Sequence, residues 1–224
     1  MTTTADLTRR NLWARTRLVV IDTETTGLRR YSRIVSISLN AVVDGLPERA
    51  WSAWLDPGLP VIGAEHIHGL TAAKLAGHPC FAQEADRIRD LLRSDTVPTY
   101  LVGQNVAYDA KRLMYEYFRI NEELEPVRLL DLKKLLPAAG IGSYGNDLDA
   151  FATLCGITNP APHTAPGDAE TARACALHAI AILIERGVDD LEPYSTPLTD
   201  NFLTTLLGVG QGLFLALFSS QTYT

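Results

Sequence analysis

The chain has 224 residues, 46% of them hydrophobic and 21% charged, with a formal net charge of −6. This length supports one well-buried core, and the acidic balance excludes a protein that coats duplex nucleic acid through a broad basic face, a mode resting on many Lys/Arg contacts to phosphate. Three cysteines, Cys80, Cys155 and Cys175, fall in no ligand spacing; they suggest neither a disulfide framework nor a zinc site and point to a reducing, cytoplasmic setting.

Residues 1–16 lack the apolar core of a signal peptide and are expected to be an N-terminal extension. Arg17 to Ile21 is a continuous apolar strand, "RIVSISLNAVVDG" is a second closed by Asp44-Gly45, and "RAWSAWLDPG" is a third closed by Asp-Pro-Gly. The periodicity then becomes helical through "GAEHIHGLTAAKLAG" and "CFAQEADRIRDLLRS". A short buried strand, "TYLVGQN", leads into a helix from Ala107 to Arg119, and "VRLLDLKKLLP" is a further short strand running into a helical turn stopped by Pro137. "DLDAFATLCGI" is a short helix ended by Gly156, Pro160, Pro162 and Pro166 mark an irregular loop, and "GDAETARACALHAIAILIERG" is a long helix ended by Gly187. A strand meander followed by alternating helices and strands predicts an α/β sheet of mixed strand direction, spanning residues 17–187 and followed by a tail, 188–224. The apolar run in that tail, "LLGVGQGLFLALF", is 13 residues long and contains Gln211. It falls short of the roughly 20 needed to span a bilayer, so the expectation is a soluble chain.

Within "LVVIDTETTGL", Asp22 and Glu24 follow the buried strand directly. Side chains at i and i+2 of a strand share a face, so the two carboxylates aim into one site at the carboxyl edge of the sheet, where α/β ligand sites collect. Two like charges held there need a cation. Asp109, in "LVGQNVAYDAKRL", and Asp168, in "HTAPGDAETA", each start a helix that follows a strand or loop, and His163 precedes Asp168 by five residues. Each acid taken singly is accounted for by the favourable field of a helix N-terminus or by a solvated strand end. Four acids and a histidine in such places are a pattern that independent capping rarely produces.

The segments "VVIDTETTGL", "GQNVAYDAKRL" and "HTAPGDAETA", in this order, resemble the three motifs of the DnaQ-like DEDDh 3′-to-5′ exonuclease superfamily, and the first is most similar to its epsilon-type proofreading branch. The resemblance covers about residues 17–187, including "EHIHGLT" and "NDLDAFATLCGI". It implies a ribonuclease-H-like fold, a mixed five-stranded sheet flanked by helices. It also implies metal-dependent exonuclease activity on DNA of the proofreading or repair type. Carried over by matching position, Asp22, Glu24, Asp109 and Asp168 would hold two divalent cations, Mg²⁺ or Mn²⁺, and His163 would be the general base. The related tyrosine-type branch has its base four residues before the last aspartate, where this chain has Thr164. Hard oxygen ligands suit these cations, and imidazole titrates near neutral pH.

Thr25, Thr26, Gly27 and Leu28 are expected to meet the 3′-terminal nucleotide together with His68 and Asn105. His66 lies close to His68 in sequence, and either of the two could be the one that faces the substrate, while His78 and His178 receive no role. The chain has Gln104-Asn105 where the family commonly has His-Asn, and "RIVSISLNAV" where relatives often carry an Ile-Glu-Ile-Gly pattern. The expected partner is the 3′ end of single-stranded DNA, with an RNA-trimming exoribonuclease of the same fold or a non-catalytic binding module as alternatives. The tail "NFLTTLLGVGQGLFLALF" is either a partner-binding helix for a DNA polymerase or sliding clamp, or a segment packed on its own core.

Overall fold

Leu18, Val19, Val20 and Ile21 are each at most 1% exposed, as a strand covered on both faces requires. They form the first half of β1 (Arg17–Thr25) in a computed structural model that describes residues 3–29, 31–124, 127–142, 145 and 147–198. β1 pairs antiparallel with β2 (Ile34–Val43), which pairs antiparallel with β3 (Leu46–Trp54). Asp44 and Gly45, at φ of 52° and 75°, link β2 to β3. Two consecutive positive φ values are what the tight hairpin turn matching strand twist demands. On its other side β1 pairs parallel with β4 (Thr99–Gly103), and β4 with β5 (Arg128–Asp131).

Helices cover both faces. On one lie α1 (Thr4–Trp13), α6 (Leu132–Ala138), α7 (Leu148–Leu154) and α8 (Ala165–Glu185), packed on Leu18, Val20 and Val42. On the other lie α4 (Phe81–Leu92) and α5 (Val106–Arg119), packed on Val19, Ile21, Ile37 and Leu39. Two single turns, α2 (Glu65–His68) and α3 (Ala72–Leu75), sit in the connection between β3 and α4. α8 turns Ala165, Ala169, Ala172, Ala176 and Ala179 inward, all buried. Their spacing follows the helical repeat, and the small side chains let the helix lie close on the sheet.

The expected mixed α/β sheet is present, with one strand more than expected: the sheet order is β3-β2-β1-β4-β5-β6, where β6 is the two-residue segment Thr196–Pro197 antiparallel to β5. Two residues carry no periodicity, which hides such a strand from sequence reading. Residues 4–13, expected as part of an extension, form α1, whose Leu12 and Trp13 are built into the core. Pro137 lies inside α6, one residue before its end, and Pro166 lies within the first turn of α8 and not in the loop before it. The missing N–H of proline costs nothing in a first helical turn. The segment 199–224, which includes most of the candidate partner-binding tail, lies outside the described residues. Among the described residues no helix is long and apolar enough to cross a membrane.

Candidate active site

Alternation along β1 sends Leu18, Val20, Asp22 and Glu24 to the α8 face and Val19, Ile21 and Thr23 to the α5 face. Asp168, in the first turn of α8, comes down onto the two acids of β1, and one carboxylate oxygen from each of Asp22, Glu24 and Asp168 lies within 4.8 Å of the others. Asp109 arrives from the opposite face. It is in the first turn of α5, 5% exposed, and accepts a 2.6 Å hydrogen bond from the Thr23 hydroxyl at its Oδ1. A bulge between Glu24 and Thr25 breaks the β1–β2 ladder where the carboxylates end and the turn begins, a common device for re-aiming side chains beside a site.

Burial pushes all four carboxyls up from their ordinary range. Asp22 is raised well above it by burial and by Asp109, Asp168 and Glu24. Glu24 is pushed up to about 7 by burial and then by Asp168 and Asp109. Asp109 also reaches about 7 through burial, against the lowering effect of its bond from Thr23. Asp168 is raised by burial, partly offset by hydrogen bonds from Asn159 and from the His163 backbone and by the His163 charge. Oxygens about 2.0–2.6 Å from one hard cation lie at most about 5 Å apart, so the cluster fits such a cation as it stands. The donors are all carboxylates, the set preferred by Mg²⁺ and Mn²⁺ over softer metals.

These shifts fix the sign of a pH effect. A carboxyl whose folded-state pKa exceeds its unfolded value contributes stability that is complete below the unfolded value and is lost as pH rises through the folded one. In chelator, the melting temperature should therefore fall between about pH 5 and about pH 8, and saturating Mn²⁺ should flatten that fall, because cation binding removes the repulsion. Thermal melts at several pH values with and without the ion measure both.

The loop before α8 is shaped around Asp168. His163 is exposed, has a left-handed backbone (φ 59°), and donates its N–H to Asp168 Oδ2 at 3.2 Å. Asn159 donates from Nδ2 to Asp168 Oδ1 at 2.7 Å, and its own Oδ1 accepts from the Ala161 N–H at 3.2 Å. Sequence reading missed Asn159, which stands in no periodic pattern. Thr23 was also missed, although its place between the two acids of β1 was a signal.

The β1–β2 turn is built largely from its own hydroxyls and from α5. The Thr25 hydroxyl donates to the Gly27 carbonyl at 2.9 Å and meets the Tyr108 hydroxyl at 2.7 Å, while the Thr26 hydroxyl accepts from the Arg33 N–H at 2.9 Å. These two hydroxyls, expected to face a nucleotide, thus also serve the turn. Leu28 is 84% exposed at its tip. Along one stripe of α5, Tyr108 donates to the Gly27 carbonyl, Arg112 to the Arg29 carbonyl and Arg119 to the Tyr31 carbonyl. Glu116, 1% exposed, accepts from Arg33 Nε at 2.9 and 3.1 Å and from the Ile34 N–H at 3.0 Å. The stripe was legible as a polar face at helical spacing but was not identified in the sequence.

His68 is half-buried. Its Nδ1 accepts from the Leu70 N–H at 3.0 Å, which leaves Nε2 as the protonated nitrogen facing the Gly63 carbonyl at 3.2 Å. Both ring nitrogens are thereby used within the loop, and the ring face is what His68 can offer a sugar or base. Asn105 caps α5 in a left-handed conformation (φ 56°) with its N–H on Asp131 at 3.3 Å. A Cβ on Gly63 would sit 2.0 Å from the Thr26 carbonyl oxygen. Gly63→Ala should therefore push the loop off the turn and lower stability by about 1–3 kcal/mol, as overpacking does, measurable by urea denaturation.

A family model described as "Exonuclease" matches residues 19–175, which holds all four acids and His163. The chain belongs to the exonuclease family. It is 28% identical over 154 residues to the DNA polymerase III subunit epsilon of Pasteurella multocida (strain Pm70), a match covering 64% of this chain and 59% of that relative, so the similarity spans less than two thirds of the relative's length. Among solved structures, this exonuclease-family chain resembles E. coli exonuclease I in complex with a dA16 oligonucleotide (TM-score 0.64, 20% identity, 78% of this chain and 42% of that one). It also resembles exonuclease X in complex with 5′ overhanging duplex DNA (TM-score 0.52, 24% identity, 75% and 89%). Both likenesses are of fold, the ribonuclease-H-like arrangement expected from the three motifs.

Proposed function

We propose that this protein is a metal-dependent 3′-to-5′ exonuclease of the DEDDh type that releases nucleoside monophosphates from single-stranded or frayed DNA ends. The observation that carries the proposal is the convergence of Asp22, Glu24 and Asp168 within 4.8 Å; Asp109 stands outside that group but near enough for its charge to raise Asp22 and Glu24. DNA as substrate is supported by the polymerase III relative and by the duplex DNA and the oligonucleotide with which the two structural neighbours are in complex.

In this reading the four carboxylates hold two Mg²⁺ or Mn²⁺ ions. Such ions, when bound, neutralise the scissile phosphate, raise the acidity of the attacking water and stabilise the leaving oxygen. The chain's own part is orientation and proton transfer. Asn159 and the His163 backbone N–H fix the Asp168 carboxylate, and Thr23 fixes Asp109. The His163 imidazole accepts the proton of the water whose oxygen attacks phosphorus. The bond from phosphorus to the 3′ oxygen then breaks, and that oxygen takes a proton from solvent to become the new 3′ hydroxyl. The β1–β2 turn, with Leu28 at its tip, the face of His68 and the exposed Asn105 border the place for the terminal nucleotide.

The test is the shortening of 5′-labelled oligonucleotides, single- and double-stranded, DNA and RNA. Stepwise loss from the 3′ end of DNA with Mg²⁺ or Mn²⁺, abolished by chelator, is expected. Equal or faster trimming of RNA would reassign the substrate, and no hydrolysis with any cation would leave a binding module in its place. A replication or repair role, and recruitment of a polymerase or clamp through residues 198–224, belong to the same proposal. A pull-down lost on deleting those residues tests the recruitment.

A further inference from the structure

Beyond the terminal-nucleotide place, the sheet face that carries the acids continues across two more strands. In the antiparallel register Glu24 stands opposite Ser36, and Ser36 opposite Trp54. Directly opposed residues share a face, so the Trp54 indole lies on the carboxylate side, two strand spacings or about 10 Å from Glu24. Ser36 is 2% exposed and Trp54 is 43% exposed. A cleft of about 420 Å³ opens here, with the small side chains of Ser36 and Ser52 on its floor. Pro166, two residues before Asp168, also lines it, so the cleft adjoins the metal-binding end of α8.

The indole is held for stacking. His78 packs edge-on against it, ring centroids 5.4 Å apart at 63°, which fixes the ring while leaving part of it open. Arg87 and Glu84 also line the cleft; the Arg87 side chain is 61% exposed, and its guanidinium lies 3.5 Å from Glu84 and 6.0 Å from the centroid of the Trp51 ring. The exposed guanidinium is held only by a long ion pair to the half-buried Glu84 and a distant ring contact to Trp51, each weak on the solvent side, so it can turn to a phosphate. A rigid aromatic ring beside a cation is the sequence-tolerant means by which proteins hold single-stranded nucleic acid. An acidic chain can hold a polyanion in this way without a broad basic face.

We infer that the cleft between Trp54 and Pro166 is a second nucleotide subsite, in which the base of a nucleotide upstream of the scissile phosphate stacks on Trp54 and its phosphate meets Arg87. The inference rests on the exonuclease reading of the carboxylate cluster. It assigns to the edge strand β3, whose face beside Trp54 is otherwise exposed, the task of holding the strand between successive cleavages.

Steady-state cleavage in Mn²⁺ of a single-stranded DNA octanucleotide and of the p-nitrophenyl ester of thymidine 5′-monophosphate separates the two places, because the ester reaches only the cleavage site. The ratio of kcat/KM for the octanucleotide to that for the ester should fall roughly 5- to 100-fold in Trp54→Ala, the range for loss of one base–aromatic stack. The fall should lie in the KM of the octanucleotide, and Trp54→Phe should recover most of it. Arg87→Gln should reduce the same ratio and weaken its dependence on salt. A ratio within about twofold of wild type in Trp54→Ala, well below one stack's worth, overturns the subsite, as does an equal loss on both substrates. Failure of the wild-type protein to cleave either substrate would instead overturn the exonuclease reading, and the subsite with it.

Discussion

Asp22→Asn should reduce metal-dependent cleavage by about 10³-fold or more, a loss of roughly 4 kcal/mol in transition-state stabilisation, and should at the same time raise the melting temperature of the metal-free protein. The two effects have one cause. Asp22 is the acid with Asp109, Asp168 and Glu24 all acting on it, in addition to burial. Without a cation its charge opposes folding at neutral pH; with a cation the same charge is a ligand. An amide keeps the shape and removes both. Oligonucleotide cleavage and thermal melts in chelator and in Mn²⁺ measure the pair. The stabilisation should vanish by about pH 3, where an aspartyl carboxyl is largely protonated in the folded and unfolded states alike. A residue with a purely structural role would not show activity and stability moving in opposite directions.

Glu116→Ala is expected to lower the unfolding free energy by about 1.5–3 kcal/mol, because it removes a buried acceptor of charge-assisted bonds and leaves the Ile34 N–H unpaired. Glu116 is 1% exposed, binds Arg33 through Nε, lies 3.3 Å from Arg119 Nη1 and accepts the Ile34 N–H. Its removal releases one end of the turn that carries Thr25 to Leu28. Urea denaturation gives the stability term. Under conditions where the variant remains folded, KM for oligonucleotides should rise more than kcat falls, since Asp22, Glu24 and Asp168 are positioned by β1 and α8 and not by this pair. Glu116→Gln, which keeps an acceptor for Ile34, should lose less of both.

The carboxylates were legible in the sequence as a set, through the three motifs that carry the family resemblance, because each one singly is accounted for by a strand end or a helix N-terminus. Asp22 and Glu24 end an apolar strand, and Asp109 and Asp168 each fall in the first turn of a helix. α4 was legible through helical spacing, α8 through its Gly187 stop, and the first three strands through apolar runs and the turn residues that close them. What escaped was held by contacts without period. Asn159 reaches Asp168 from an irregular loop, Tyr108 and Glu116 reach the β1–β2 turn across more than 80 positions, and β6 is two residues long. The roles of Thr25 and Thr26 were read toward a ligand, whereas the structure adds their part in closing the turn. A side chain that satisfies a carbonyl two residues away leaves no trace in spacing.

β1 serves both faces of the sheet through strict alternation, Asp22 and Glu24 toward α8 and Thr23 toward Asp109 on α5. A single insertion or deletion within residues 18–23 would therefore do more than shift the acids. It would rotate both carboxylates into the greasy interface under α5 and deprive Asp109 of its hydroxyl donor in the same step. Length changes in this strand are thus all-or-none for the site, whereas a substitution that conserves residue count leaves both faces in place.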